Sequence, residues 1–363
     1  MDPSIHLGRR PLAEGYRLFA EREARGVSAV YADWAHAVAQ DGEVLDLLSR
    51  LPGGKRQPNL VFAAARWHGA EESYASFRET VLQRWDQVRA TIMARATQTN
   101  EAARCATLLP FLAELPQPLA LIEVGTAAGL CLLPDHYSYA YDDGTRLDPD
   151  GGPSPVVIEA HLGAGVPAPA MPQIAWRAGI DLNPIDATDP DARAWLETLI
   201  WPGQQARRQR LRAALDIAAR ERLHLVAGDL GEALPSLAAQ APPEATLVVF
   251  HSAVLAYLDT DARAKFVDVV SGLPGHWISN EGASVLAPVL PSAALGGSPP
   301  GASEQGGSPP DASTQGGSPP GASTQRTDGE ADDAPDDGRF LLTVDGIPRA
   351  RTNPHGSAVH GLP

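Results

Sequence analysis

The segment Leu119-Ala120-Leu121-Ile122-Glu123-Val124-Gly125-Thr126-Ala127-Ala128-Gly129-Leu130 is an apolar run that meets an acid and then two glycines four apart. A run of this length with β-branched and aliphatic residues reads as a buried strand, and the glycines end it in a tight turn where the backbone takes positive φ and a ligand approaches closely. Glu123 at the strand end accepts hydrogen bonds from hydroxyl or ammonium groups and repels a pyrophosphate placed against it. The turn therefore favours a cationic or polyhydroxyl ligand over a dinucleotide.

Four further strand-like runs end in polar residues. Residues 174–180 lead into Asp181-Leu182-Asn183-Pro184, 223–227 into Gly228-Asp229, 246–250 into His251-Ser252, and 276–279 into Asn280-Glu281-Gly282. Short β-rich runs separated by helical stretches predict a mostly parallel sheet wrapped by helices, with ligands at the carboxyl ends of the strands.

These features resemble the Rossmann-like methyltransferases that use S-adenosylmethionine. The resemblance implies that Glu123, Gly125 and Gly129 support the methionine part of the cofactor, that Asp181 holds the ribose, and that Asp229 lies near the adenine. The whole chain is similar to an uncharacterised bacterial family known as domain of unknown function 2332, common in actinobacteria. The strings 119–130, Trp176 to Pro184, Val249 to Tyr257 and Asn353-Pro354-His355-Gly356 carry that similarity. Two departures from the methyltransferase pattern stand out. Ala127 replaces a glycine often found in the turn, and Glu123 and Asp181 lie 58 positions apart, where about 20 separate the equivalent groups in a compact nucleotide-binding unit. The intervening 131–172 is rich in Tyr, Asp, Gly and Pro, and is expected either to cover the site or to displace the cofactor.

The expected fold class is α/β: a Rossmann-like, mostly parallel sheet with a C-terminal antiparallel hairpin, behind an α-helical N-terminal region. Residues 1–117 show apolar positions at helical spacing over 12–25, 29–38, 43–50, 60–67, 74–96 and 100–115. They form either a cap or a structural layer. The sheet domain is 118–292, with 131–172 as an insertion. Its longest helical stretch, 191–221, breaks at Trp201-Pro202-Gly203, which either kinks two packed helices or brings Trp201 or Gln204 to the site.

Residues 293–338 hold a ten-residue Gly/Ser/Pro repeat followed by six acids against one arginine. Such a repeat buries too little apolar surface to offset chain entropy, so disorder is expected. Residues 339–363 return to an apolar strand, a turn and a second strand, the hairpin that completes the sheet.

His251 is the leading candidate for moving a proton, because it follows a buried strand and imidazole titrates near neutrality; the alternative is a histidine that hydrogen-bonds a neighbouring loop. Glu281 is the second candidate base. His355 approaches the same edge if the hairpin folds back. Ser252 lacks a nucleophile elbow around it. Asp135, His136, Tyr137, Tyr139 and Tyr141 form either a substrate surface or loop packing. The scattered histidines supply no metal set.

The net charge of −15 opposes sequence-independent nucleic-acid binding, which needs a clustered basic surface. No apolar run is long enough for a membrane span, and Cys105 and Cys131 are the only cysteines, so a cytoplasmic, reduced setting is expected. The function expected is methyl transfer from S-adenosylmethionine to a small-molecule acceptor. The alternative is a non-catalytic descendant that binds a metabolite or a protein, and a nicotinamide or flavin enzyme ranks below both because the turn lacks the full Gly-x-Gly-x-x-Gly pattern. Deleting 296–325 is expected to leave the melting temperature nearly unchanged; a clear drop in differential scanning calorimetry would contradict the disordered-insertion reading.

Overall fold

The computed structural model describes residues 3–98, 100–287 and 338–362. The expected disorder over 293–338 falls outside these, apart from Gly338. The described residues divide into two compact units: one of 3–98, 100 and 185–219, the other of 101–184, 220–287 and 338–362.

The first unit is helical. Its helices are α1 (Pro3–Phe19), α2 (Ala29–Val38), α3 (Gly42–Ser49), α4 (Pro58–Trp67), α5 (Tyr74–Gln83), α6 (Trp85–Ala94) and α8 (Pro190–Leu199), together with most of α9 (Gln205–Glu221). Side-chain oxygens satisfy the first free amides of several of these helices. Ser28 accepts from Tyr31 N, Asp41 from Glu43 N and Val44 N, and Ser73 from Ser76 N. A single helix expected over 74–96 is instead two. Arg84 leaves helical geometry at φ −119° and ψ 29°, and its guanidinium donates to His68 O at 2.8 Å.

An aromatic nest fills this unit. Phe62 is fully buried, with the rings of Tyr31, Trp34 and Phe77 at 5.0, 5.4 and 5.4 Å in edge-to-face contact. Trp201, at the break between α8 and α9, packs on Phe19 and Tyr31 at 5.4 and 5.5 Å. The break is thus a packing corner of the helical unit.

The second unit is built on one sheet. In chain order its strands are β1 (Leu119–Val124), β2 (Ser138–Tyr141), β3 (Arg146–Leu147), β4 (Val157–Leu162), β5 (Ile174–Asp181), β6 (His224–Ala227), β7 (Thr246–Ser252), β8 (His276–Gly282), β9 (Phe340–Val344), β10 (Ile347–Thr352) and β11 (Ala358–Gly361). They lie in the order β3-β2-β4-β11-β10-β9-β8-β7-β1-β5-β6. β6, β5, β1, β7 and β8 are mutually parallel. β1 lies in the middle of these five parallel strands and is buried along its whole length, which accounts for its unbroken apolar run. β9 pairs antiparallel with β8 and forms a hairpin with β10. Asp345 and Gly346 turn that hairpin at φ 53° and 75°, the positive-φ geometry a two-residue Asp-Gly turn requires.

Residues 131–172 form no α-helix after the glycine turn, only the short 3-10 turns Leu130–Leu132 and Pro134–His136. They contribute β2, β3 and β4, which extend the sheet beyond β11. Ala120, Ile122 and Val124 of β1 pack with Leu234 and Leu237 of α10 (Leu230–Ala238) and with Phe266 and Val270 of α11 (Thr260–Ser271). By the two-residue period of a strand, Glu123 faces the other side of the sheet.

The Phe62→Ala variant is expected to lose about 3–5 kcal/mol of stability, because five rings lose their common partner. Urea denaturation of the variant beside the native chain checks this, and a loss below about 1 kcal/mol would mean the nest collapses without cost.

Candidate functional site

The sheet reverses direction of growth at β1: the chain adds β5 and β6 on one side and returns to place β7 and β8 on the other. This is a topological switch point, the place where open α/β sheets bind ligands, beyond the carboxyl ends of the strands. Glu123, Asp181, His251, Ser252 and Asn280 all sit at those ends.

The turn after β1 is wound on itself. Gly125, Ala127 and Gly129 take φ of 71°, 48° and 71°. Gly125 N and Thr126 N donate to Ile180 O, Gly129 N to Thr126 O, and Ala127 N to Asp181 Oδ2 at 2.9 Å. Asp181 Oδ1 also accepts from Asn183 N. The two glycines have close neighbours: a Cβ on Gly125 would stand 2.4 Å from Val254 Cγ2, and one on Gly129 would stand 2.5 Å from Leu223 Cδ1.

Glu123 is buried, and its Oε2 accepts the Thr126 hydroxyl at 2.8 Å. Burial drives its carboxyl well above the usual range; the nearby Cys131 thiol adds to this, while the Thr126 hydrogen bond and the Arg104 charge oppose it. Cys105 and Cys131 are free, buried neighbours beneath the turn, with Cys105 Sγ 3.8 Å from Cys131 O. The contact with Cys105 and burial push the Cys131 thiol up.

His251 and Glu281 meet, but away from solvent. His251 Nδ1 lies 2.8 Å from Glu281 Oε1, and Trp277 Nε1 donates to His251 Nε2 at 3.0 Å. Indole nitrogen only donates, so His251 is the neutral Nδ1–H tautomer and Glu281 is the acceptor. Neither ring nitrogen is left for a substrate. Glu281 Oε1 also accepts from Val254 N and Leu255 N at 2.7 and 3.1 Å, so this pair pins the loop that carries Val254 against Gly125. Register sets His251, Ser279 and Thr343 side by side on the face covered by α11.

The opposite face carries a second network. Asn280 Nδ2 donates to Ser252 Oγ, and Thr352 Oγ1 donates to Asn280 Oδ1. Arg104, just before α7 (Cys105–Ala113), donates from Nε to Pro354 O at 2.9 Å and from Nη1 to Ser252 O at 3.0 Å. The 353–356 turn therefore does reach the carboxyl end of β7. Gly356, at φ 83°, fits there because a Cβ would meet Ala103 O at 2.1 Å.

The other sequence candidates take structural places. Asp229 caps α10 by accepting from Gly231 N. Tyr137, Tyr139 and Tyr141 are buried and donate to the carbonyls of Leu130, Pro134 and Ala106, while Asp135 holds Arg177 through both oxygens. This aromatic group is loop packing. In the sequence Asn280 stands out only as a polar strand end, and Arg104 and Thr352 not at all, because the partners of Arg104, Asn280 and Thr352 lie 148, 28 and 72 positions away. One signal was available, the polar Asn280 inside an otherwise strand-like run.

A cleft of about 370 Å³ between α11, β8 and the β9–β10 turn opens at the other end of the strands; its polar members His276 and Asp345 satisfy each other at 2.7 Å. Among the described residues no cluster of three or more His, Cys, Asp or Glu is placed to hold a metal, and no helix is long and apolar enough to cross a membrane.

Fold and site together define an α/β protein with a large, mostly parallel sheet and a glycine turn at its switch point. The chain belongs to a family described as uncharacterised proteins conserved in bacteria, domain of unknown function 2332, whose model matches residues 13–73 and 65–306. Among curated proteins, none matches it.

Glu123 supplies a pH signature. Its carboxyl is raised on folding, so the native state binds the extra proton, and the associated stability is full below the unfolded value of about 4.3 and lost as pH rises through the folded one. Glu123→Gln keeps an acceptor for Thr126 and removes the titration. Its melting temperature is expected to match the native chain near pH 4 and to exceed it increasingly as the pH rises above that. Parallel pH profiles of the two proteins would refute this.

Proposed function

We propose that this protein is an S-adenosylmethionine-dependent methyltransferase with a small-molecule acceptor, acting at the carboxyl edge of a Rossmann-like sheet. The observation that carries the reading is the acid-and-glycine turn at the end of β1, flanked by β5 with Asp181 and by β7. The donor set fits that cofactor better than a dinucleotide. The amides of Gly125, Thr126, Ala127 and Gly129 are already bonded within the protein, which leaves them no part in gripping a pyrophosphate, whereas Glu123 and Asp181 offer oxygens to ammonium and hydroxyl groups. Asp181 keeps acceptor capacity after its two amide bonds, since each carboxylate oxygen takes two donors.

When bound, the cofactor supplies an electrophilic methyl group. The chain's own task is to align an acceptor and exclude water. Glu281 and His251 serve this by fixing residues 253–255 from the covered face, as positioning residues; a proton, where the acceptor must lose one, passes to a group on the open edge. With two buried free thiols, a reducing cytoplasm suits the protein.

A second reading has its own support. Val254 and Leu223 press on Gly125 and Gly129, as in a turn kept for packing, and this favours a non-catalytic descendant that binds a metabolite or a protein.

Calorimetric titration of S-adenosylmethionine decides between them. Binding in the micromolar range is expected, weakened about tenfold or more by Glu123→Ala and by Asp181→Asn, which retains an acceptor for Ala127 N. Methyl transfer from labelled cofactor into cell extract then identifies the acceptor. Absence of binding by folded protein removes the enzyme reading and leaves the second.

A further inference from the structure

Arg104 is 8% exposed and stands between the end of β7 and the 353–356 turn. Arginine is almost never buried without an acid beside it, because a desolvated charge costs several kcal/mol unless it is paired. Here the two groups it bonds, Pro354 O and Ser252 O, are neutral carbonyls. They fix the plane of the guanidinium and cancel none of its charge. Among the described residues no carboxylate forms an ion pair with it.

Glu123 is close enough for the Arg104 charge to act on it, yet burial holds that carboxyl towards its neutral form. Glu123 makes no ion pair with Arg104; the hydrogen bond its side chain forms is with the Thr126 hydroxyl. With Nε and one Nη1 hydrogen committed to Pro354 O and Ser252 O, Nη2 makes no bond within the protein and its two hydrogens, with the second on Nη1, are left to donate to a carboxylate. The amino end of α7, which starts at Cys105, adds a partial positive charge on the same side.

We propose that Arg104 is a binding residue that receives the carboxylate of a small molecule seated at the carboxyl edge of the sheet. The inference deepens the methyltransferase reading in one respect: the carboxylate belongs either to the amino-acid end of S-adenosylmethionine or to the acceptor. The need for an anion stands without that reading.

The test uses the full chain, with acetate and benzoate as probes and acetamide and benzamide as neutral matches, read by calorimetry and by thermal shift at constant ionic strength. The carboxylates are expected to bind saturably and raise the melting temperature, and the amides are not. Arg104→Gln should weaken the carboxylates about tenfold or more, and Arg104→Lys, which keeps the charge without the fork, should fall between. Loss of S-adenosylmethionine binding in Arg104→Gln with 5′-methylthioadenosine binding unchanged assigns the carboxylate to the cofactor. Unchanged S-adenosylmethionine binding with loss of benzoate assigns it to the acceptor. Carboxylate binding without any S-adenosylmethionine binding upholds Arg104 and sinks the cofactor. Equal effects of acid and amide on the native chain, a comparison that needs no variant to fold, would overturn the proposal, as would Arg104→Gln leaving both carboxylate and cofactor affinities intact.

Discussion

The carboxylate of Asp181 ties two strand ends into one edge. Its Oδ2 takes the amide of Ala127 and its Oδ1 the amide of Asn183, so the turns after β1 and β5 are fixed to each other by charge-assisted bonds. Ala127 sits at positive φ, a conformation that costs a non-glycine residue about 1–3 kcal/mol and persists only where its surroundings impose it. Asp181 and the Ile180 carbonyl, which takes both Gly125 N and Thr126 N, are those surroundings. Gly179 completes the arrangement by leaving room for Thr126, whose Cβ lies 2.7 Å from where a side chain on 179 would begin. In turn Thr126 is free to bond Glu123.

The loop after β7 is held from beneath in a comparable way. Glu281 on β8 gathers the His251 ring and two backbone amides onto one oxygen, and Trp277 closes the far side of the imidazole. Ala253 takes φ 59° in that loop. The cost of burying a carboxylate is thus offset by donors that also define where Val254 stands. Both loops bordering the switch point are held in the same way, by a side-chain carboxylate that accepts their backbone amides: Asp181 for the turn after β1 and Glu281 for the loop after β7.

Much of this was legible in the sequence, and the reason is periodicity. The runs ending at Glu123, Asp181, Ala227, Ser252 and Glu281 are strands because their apolar residues have no helical spacing; all are parallel, with β1, β7 and β8 largely buried and the edge strand β6 partly exposed. The helices of the first hundred residues show in their apolar stripes, except where Arg84 interrupts one for the sake of a long-range bond to His68. Residues 131–172 were harder to read: β2 pairs with β4 across a Gly/Pro-rich stretch and β11 joins them from the far end of the chain, an addition that no local pattern announces. Side-chain partners were least visible. His251 and Glu281 were each noticed as strand-end residues, yet that they bond one another depends on β7 and β8 being neighbours. A buried arginine such as Arg104 reads in a sequence like an exposed one.

Electrostatics at the edge then favours one kind of ligand over others. A phosphate needs free amides or several cations, and the amides of Gly125, Thr126, Ala127 and Gly129 are already bonded. What remains is an array of separate side chains: Arg104 with an open fork, Asp181 half-buried with spare lone pairs, and Glu123 poised to ionise when a positive group arrives. A cationic ligand reaching Glu123 lowers the carboxyl towards its usual range and expels a proton, because the charged form gains a partner that offsets its desolvation. Binding and proton release are therefore linked at this residue, in the same sense in which burial alone holds the proton on. A zwitterion, anionic towards Arg104 and cationic towards Glu123, satisfies both groups at once, and a simple anion or cation satisfies only one.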